Sequence, residues 1–176
     1  GVIIIPWWAK TFGRRMGTII LLIGAIVFTG SFIFFKPENV FLILLFQIFG
    51  SITGGPISAL LWVMYADTAD YSEWKTGRRA TGLIFSASIM SNKLGWAFGS
   101  MIAAFILAST GFVANVAQNA GTLFGLKAMM SVIPIVAGLA ALVLLVFFYK
   151  LDEKTMKKVQ AELEQRRVES GMEATN

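Results

Sequence analysis

The residues of this chain that carry chemistry fall into two groups. Lys93 stands alone, with Asn92 beside it and Trp96 one turn on, in a largely apolar stretch over residues 80–109. Thirteen residues beyond Ala80, it sits about 20 Å along a helix that crosses a hydrocarbon core about 30 Å thick. An ammonium at that depth costs roughly 2.5–3.5 kcal/mol even on the lenient insertion scale, so such a lysine calls for a polar cavity or a carboxylate. A substrate or coupling site and a purely structural ion pair both satisfy that demand. The second group is the run YADTADYSEWKTGRR over residues 65–79. Asp67, Asp70 and Glu73 recur every third residue, and Lys75, Arg78 and Arg79 follow. On a continuing helix these carboxylates share one side, where charge-assisted bonds from arginines of another loop would close a gate. A solvated loop that only sets topology is the competing reading, because exposed ion pairs are worth little each.

Histidine and cysteine are both absent. That removes disulfides, thiol chemistry, imidazole acid–base catalysis and any metal or haem site built on those ligands. Every Asp and Glu lies in a connector or in the tail. A partner for Lys93 is therefore expected from substrate, from a subunit or from sequence beyond this chain. An intramembrane enzyme would need a nucleophile and a base, which only Lys and Ser remain to supply. The expectation is that the protein is not an enzyme and holds no cofactor.

The elements that must position these groups follow from hydropathy. Of 176 residues, 56% are hydrophobic and 14% charged, with a mean hydropathy of +0.72. Four stretches are long enough to cross a bilayer, at 17–35, 40–64, 80–109 and 126–149. Residues 1–8, GVIIIPWW, read as the tail of a truncated span with an interfacial tryptophan anchor. Fifteen basic residues against ten acidic give +5. With four full spans, the basic connectors at 9–16 and 65–79 fall on the same side as the tail at 150–176. The positive-inside rule makes that side, and the C-terminus, cytoplasmic. Orientation thus accounts for the charge without nucleic acid.

The spans differ in character. Gln47, Ser51, Gly54, Ser58 and Trp62 form one polar and small-residue stripe on the 40–64 span, the pattern of a cavity wall or of helix packing. Gly54, Gly55 and Pro56 in its middle predict a kink or an unwound turn. The 17–35 and 126–149 spans are apolar all round and read as scaffold, with Gly24, Gly30 and Gly138 permitting close approach and Pro134 bending the last span. Met156, Val159 and Leu163 share one face of an amphipathic tail helix, and residues 170–176 read as a frayed end.

The string ADTADYSEWKTGRRATG (66–82), continued by SASIMSNKLGWAFG (86–99), resembles the glycoside–pentoside–hexuronide:cation symporters, the melibiose permease-like sugar transporters of the major facilitator superfamily. The acidic core of that family matches at Ala66, Asp67, Asp70, Tyr71, Glu73 and Lys75, with Arg79 after it. KTFGRR (10–15) resembles the link between the eighth and ninth helices, and the 150–167 segment the family's C-terminal helix. The resemblance implies an all-α membrane protein, a partial C-terminal six-helix bundle comprising the end of helix 8 and helices 9–12. It implies a bacterial inner-membrane carrier that couples sugar or glycoside to sodium or a proton by alternating access. Lys93, Asn92, Trp96, Trp62 and Gln47 would line the cavity, and Asp67, Asp70, Glu73, Arg78 and Arg79 would form the cytoplasmic gate. The coupling cation would bind mainly in an N-terminal half outside this sequence, which is the expected partner along with sugar and lipid. A non-transporting membrane scaffold or sensor remains the alternative.

Overall fold

A computed structural model describes Trp8, residues 11–35, 39–169 and Gly171. The expected truncated span at 1–8, apart from Trp8, and the expected frayed end at 170–176, apart from Gly171, lie outside the described residues. The described secondary structure is all helical. Helix α1 is Arg14–Gly30 and tightens into a 3-10 turn, Ser31–Phe34. Helix α2 is Val40–Thr76, α3 is Thr81–Ser109, α4 is Ala120–Met130, α5 is Val132–Phe147 and α6 is Glu153–Glu169. Three segments are long and apolar enough to cross a membrane: Arg14–Phe34, Val40–Thr76 and Ala120–Phe147. The chain is an all-α multi-pass membrane protein with these three long apolar helices. Thr81–Ser109 has the length, 29 residues, but falls outside that set, and Asn92 and Lys93 in its middle are the residues that dilute it.

Two boundaries differ from the sequence reading. Residues 65–76 are not a loop: α2 runs without a break for 37 residues, about 55 Å, far longer than a hydrocarbon core of about 30 Å. The expected unwound turn at Pro56 does not form either, since residues 40–76 are helical throughout. The residue before a proline is normally driven from the helical region by a clash with its Cβ. Here that residue is Gly55, which has none. The helix stops at Gly77, whose φ of +68° suits glycine and whose N–H donates to the Glu73 carbonyl at 2.8 Å.

The expected 126–149 span begins earlier, at Ala120, and is interrupted at Ser131. Pro134 lies three residues on and cannot donate to the turn before it. Ser131 is fully buried, and its hydroxyl back-bonds to the Lys127 carbonyl.

Helix α1 lies between α2 and α5 and packs against both through glycines. A Cβ on Gly24 would meet Thr53 of α2 at 3.3 Å, and one on Gly30 would meet Ile135 of α5 at 3.1 Å. Phe28 stacks on Phe49 and meets Phe46 edge-on, with centroids 5.7 and 5.8 Å away. The closest approach is at Gly138, where a Cβ would come within 2.7 Å of Ile26 Cγ1. Gly138→Val should therefore force α1 and α5 apart and cost about 1–3 kcal/mol, the usual range for overpacking. Thermal unfolding of the detergent-solubilised full-length protein checks this, and an unchanged midpoint counts against the contact.

Helix α3 stands apart from this group and has no buried residue. Trp62 of α2 stacks on Phe85 near one of its ends, centroids 5.9 Å apart. At the other end the Thr122 hydroxyl donates to the Thr110 carbonyl at 2.6 Å. Between these ties, residues 91–102 are all exposed.

Candidate functional site

The first candidate is the exposed face of α3. Ser86, Ile89, Met90, Lys93, Leu94 and Ala97 recur at helical spacing and line an open groove of about 550 Å³. Every lining residue belongs to α3, so the groove has one wall within this chain. Lys93 forms no ion pair among the described residues, so its ammonium depends on solvent or on a group from elsewhere. Trp96, one turn on, leaves 77% of its surface open. Asn92 is exposed beside them.

Trp62 reaches this helix through Phe85, whereas Gln47 does not join it. Gln47 lies fifteen residues before Trp62 on α2, about 22 Å along the axis. Its side chain is exposed and has no hydrogen-bond partner among the described residues. Lys93 lies eight residues beyond Phe85, about 12 Å further along α3. Counting the same rise back along α2 from Trp62 reaches Gly54 and Gly55, where an added Cβ would find nothing within 4 Å. The Trp62–Phe85 stack thus ties α2 to α3 at one level, and the glycines of α2 about 12 Å along the axis from it are open.

The second candidate is a charged cluster at the end of the molecule where α2 finishes. Gly13 takes a φ of +73°, turning the chain so that Arg14 and Arg15 begin α1. The Arg14 guanidinium is ion-paired with Asp67 Oδ1, and the Asp67 side chain is only 4% exposed. Arg15 Nη2 donates to the Val146 carbonyl at 2.7 Å, capping the last turn of α5. Adjacent arginines on α1 therefore hold two different helices.

Six residues on, nearly two helical turns, Glu73 is shared. Arg79 Nε lies 3.6 Å from its carboxylate, and Arg167 Nη2 from α6 donates to both of its oxygens, at 3.1 and 3.3 Å. Trp74 Nε1 donates to Glu162 Oε2 at 2.6 Å, and Arg166 Nη1 donates to the Trp74 carbonyl at 3.1 Å. Met156, Val159 and Leu163 of α6 close over Tyr71, Trp74 and Leu151. The tail helix therefore docks on the part of α2 that extends past membrane thickness. Its start is set by Asp152, which accepts from the Thr155 N–H at 2.8 Å. Hydrogen bonding from Thr155, first through its side chain and then through this N–H, holds the exposed Asp152 carboxyl below its ordinary range.

The five expected gate residues do not act alike. Asp67 and Glu73 are paired and Arg79 reaches Glu73, whereas Asp70 and Arg78 form no side-chain ion pair among the described residues. Four partners lie outside those five residues. Arg14 was visible only as part of the basic KTFGRR turn. The tail's Glu162, Arg166 and Arg167 carry no signal of a target beyond the Met156–Val159–Leu163 stripe that turns their helix toward one. Among the described residues no group of three or more His, Cys, Asp or Glu side chains is placed to hold a metal ion.

Residues 1–153 match the family model described as "MFS/sugar transport protein". The chain is 40% identical over 170 residues to the isoprimeverose transporter of Lactiplantibacillus pentosus, covering 94% of this chain and 34% of the relative. It is 32% identical over 167 residues to the glucuronide carrier protein homolog of Escherichia coli (strain K12), covering 93% of this chain and 36% of the relative. It is 35% identical over 139 residues to the uncharacterized symporter YnaJ of Bacillus subtilis (strain 168), covering 77% and 29%. The chain spans about a third of the length of these curated relatives.

Proposed function

The chain belongs to the MFS/sugar transport protein family, and from that premise we propose that it forms one wall of a cation-coupled sugar or glycoside symporter. The finer family placement is the glycoside–pentoside–hexuronide:cation group, carried by the ADTADYSEWK string. In this reading α1 to α5 are the larger part of a C-terminal six-helix bundle, and α3 crosses the membrane with the other spans. A second bundle, from an N-terminal half of the same carrier, faces the open side of α3. The two bundles rock about a central site that opens alternately to each side. The charged end lies in the cytoplasm of a bacterial cell, at its inner membrane, with the C-terminus inside.

The observation that carries the reading is the face of Lys93. A helix with a cation in its middle and no carboxylate partner in the described chain suits a wall that meets a polar ligand. Lys93 would donate to sugar hydroxyls or balance a carboxylate that the coupling ion has left. Asn92 would add hydroxyl contacts, and Trp96 and Trp62 would offer aromatic surfaces for a sugar ring. Gln47, farther along α2, would contact only a larger glycoside. No covalent step is involved. Sodium or a proton would bind chiefly in the opposite bundle.

The test is uptake by proteoliposomes holding the full-length protein, with isoprimeverose, a glucuronide and melibiose offered under an imposed sodium or proton gradient. Accumulation of at least one sugar above its external concentration, collapsing with the gradient, is the expected result. Absence of accumulation under both gradients would favour a scaffold or sensor.

A further inference from the structure

Helix α1 opens with two cations and no anion of its own. Gly13 is its N-cap, Arg14 and Arg15 are its first residues, and its first turn holds neither an acidic residue nor a side-chain cap. Unpaired N–H groups and the positive end of the helix dipole favour a carboxylate at such a place. That carboxylate comes from another helix. A Cβ on Gly13 would meet Oε2 of Glu153, the first residue of α6, at 3.4 Å. Glu153 and Arg14 also line one cavity of about 290 Å³, together with Arg15. Glu153 is exposed, and among the described residues its side chain forms no ion pair or hydrogen bond. A guanidinium has five N–H donors, and the bond from Arg14 to Asp67 uses Nη1 alone. An unused acceptor thus stands beside a cation with donors to spare.

The two acceptors belong to parts of the fold that can separate. Asp67 is on α2, eleven residues past Pro56. Glu153 follows α5 after a connector of five residues, 148–152. Arg15 ties the end of α5 to α1 through the Val146 carbonyl at 2.7 Å. Glu153 is therefore held with the start of α1 when the end of α2 moves. We propose that Glu153 is a positioning residue for Arg14, the second acceptor to which the guanidinium passes when Asp67 and the end of α2 withdraw. The proposal rests on the alternating opening set out above. Asp67, with its side chain 4% exposed, holds Arg14 in this structure. Glu153 is the weaker acceptor because water screens it, so it takes Arg14 only once Asp67 has left. The exchange eases opening, since Arg14 is never left beside a vacated site without a partner.

The test is a cycle of thermal unfolding on the full-length protein in detergent. Asp67→Ala imitates the withdrawal of the first acceptor. Glu153→Gln is expected to lower the midpoint by less than about 1 °C in the parent, and by about 1–2 °C, at least twice as much, in Asp67→Ala protein. With Arg14→Met added, that excess is expected to vanish, which a carboxylate serving only the end of α1 would not show. Equal losses in the two Asp67 backgrounds, or an excess that survives Arg14→Met, would overturn the proposal. Should Asp67→Ala not fold, Asp67→Asn takes its place in the same cycle. Uptake by proteoliposomes separates the exchange from the function it rests on. Glu153→Gln is expected to lower the maximal rate at least about threefold with KM unchanged, and Glu153→Asp to recover most of it. A Glu153→Gln rate equal to that of the parent would overturn the exchange as a step of transport. A parent protein that accumulates no sugar fails the functional reading alone, and the thermal cycle still decides whether Arg14 has a second acceptor.

Discussion

On the proposed function, Lys93→Met should lower gradient-driven sugar uptake by the full-length protein at least about tenfold while leaving its folding intact. A hydrogen bond to a charged group contributes about 1.5–3 kcal/mol, and each 1.4 kcal/mol is about a factor of ten in binding or rate. The fold gives the variant little else to disturb. Lys93 is exposed, it pairs with nothing among the described residues, and the groove it lines belongs to its own helix. Met keeps an unbranched stem of similar length and a similar helix propensity. Insertion and thermal stability should therefore match the parent, which separates a lost contact from a lost fold. If the ammonium holds the sugar in its resting complex, KM rises. If it answers the departure of the coupling ion, maximal rate falls and uptake loses its dependence on the gradient. Sugar affinity and coupled uptake both unchanged would remove Lys93 from the site.

The second large effect is expected at Asp67. Asp67→Ala strands the Arg14 guanidinium beside a buried hole, and breaking a buried pair from one side typically costs about 3–5 kcal/mol. Because the Arg14 side chain keeps 30% of its surface open, the lower end of that range, about 3 kcal/mol, is the fitting figure. Two readouts follow from it. Thermal stability should drop, and a thiol reagent should reach a cysteine placed at Ala80 faster, because α1 no longer holds α2. Removing both charges tests the cause. Arg14→Met with Asp67→Leu should recover most of the stability, since a well-packed apolar pair often replaces a buried ion pair at little cost. An Asp67→Ala protein as stable as the parent would mean that the pair does not hold this end together.

Much of this arrangement is legible in the residues. The apolar runs around 17–35 and 126–149 announce their helices, because twenty apolar residues in sequence have few other stable fates. The three-residue spacing of Asp67, Asp70 and Glu73 already implied one helical side. Where that helix ends was harder to read. Charge density suggested a connector after Met64, yet charged residues are good helix formers once outside the bilayer, and Gly77 offers the first strong stop. The unwound turn expected at Pro56 fails to form for a local reason, since the missing Cβ of Gly55 is what lets a proline pass. In the candidate sites, Lys93 was conspicuous because depth makes a charge costly. Arg14 was not, because nothing in sequence distinguishes an arginine that only sets topology from one paired with a buried carboxylate. Pairings between distant segments, such as Glu73 with Arg167, depend on how helices dock, which side-chain periodicity alone does not specify.

The unbroken course of α2 has a mechanical consequence. Pro56 removes one rung from its hydrogen-bond ladder, so bending is softer there than elsewhere along the rod. From Pro56 to the last residue of the helix, Thr76, there are twenty residues, an arm of about 30 Å. Pivoting that arm by about 10° carries its tip roughly 5 Å, by the same rise per residue. That travel exceeds the reach of every bond that α6 makes to Glu73 and Trp74. A rearrangement too small to repack the glycine contacts of α1 would thus be magnified, at the far end of one rigid helix, into the undocking of another.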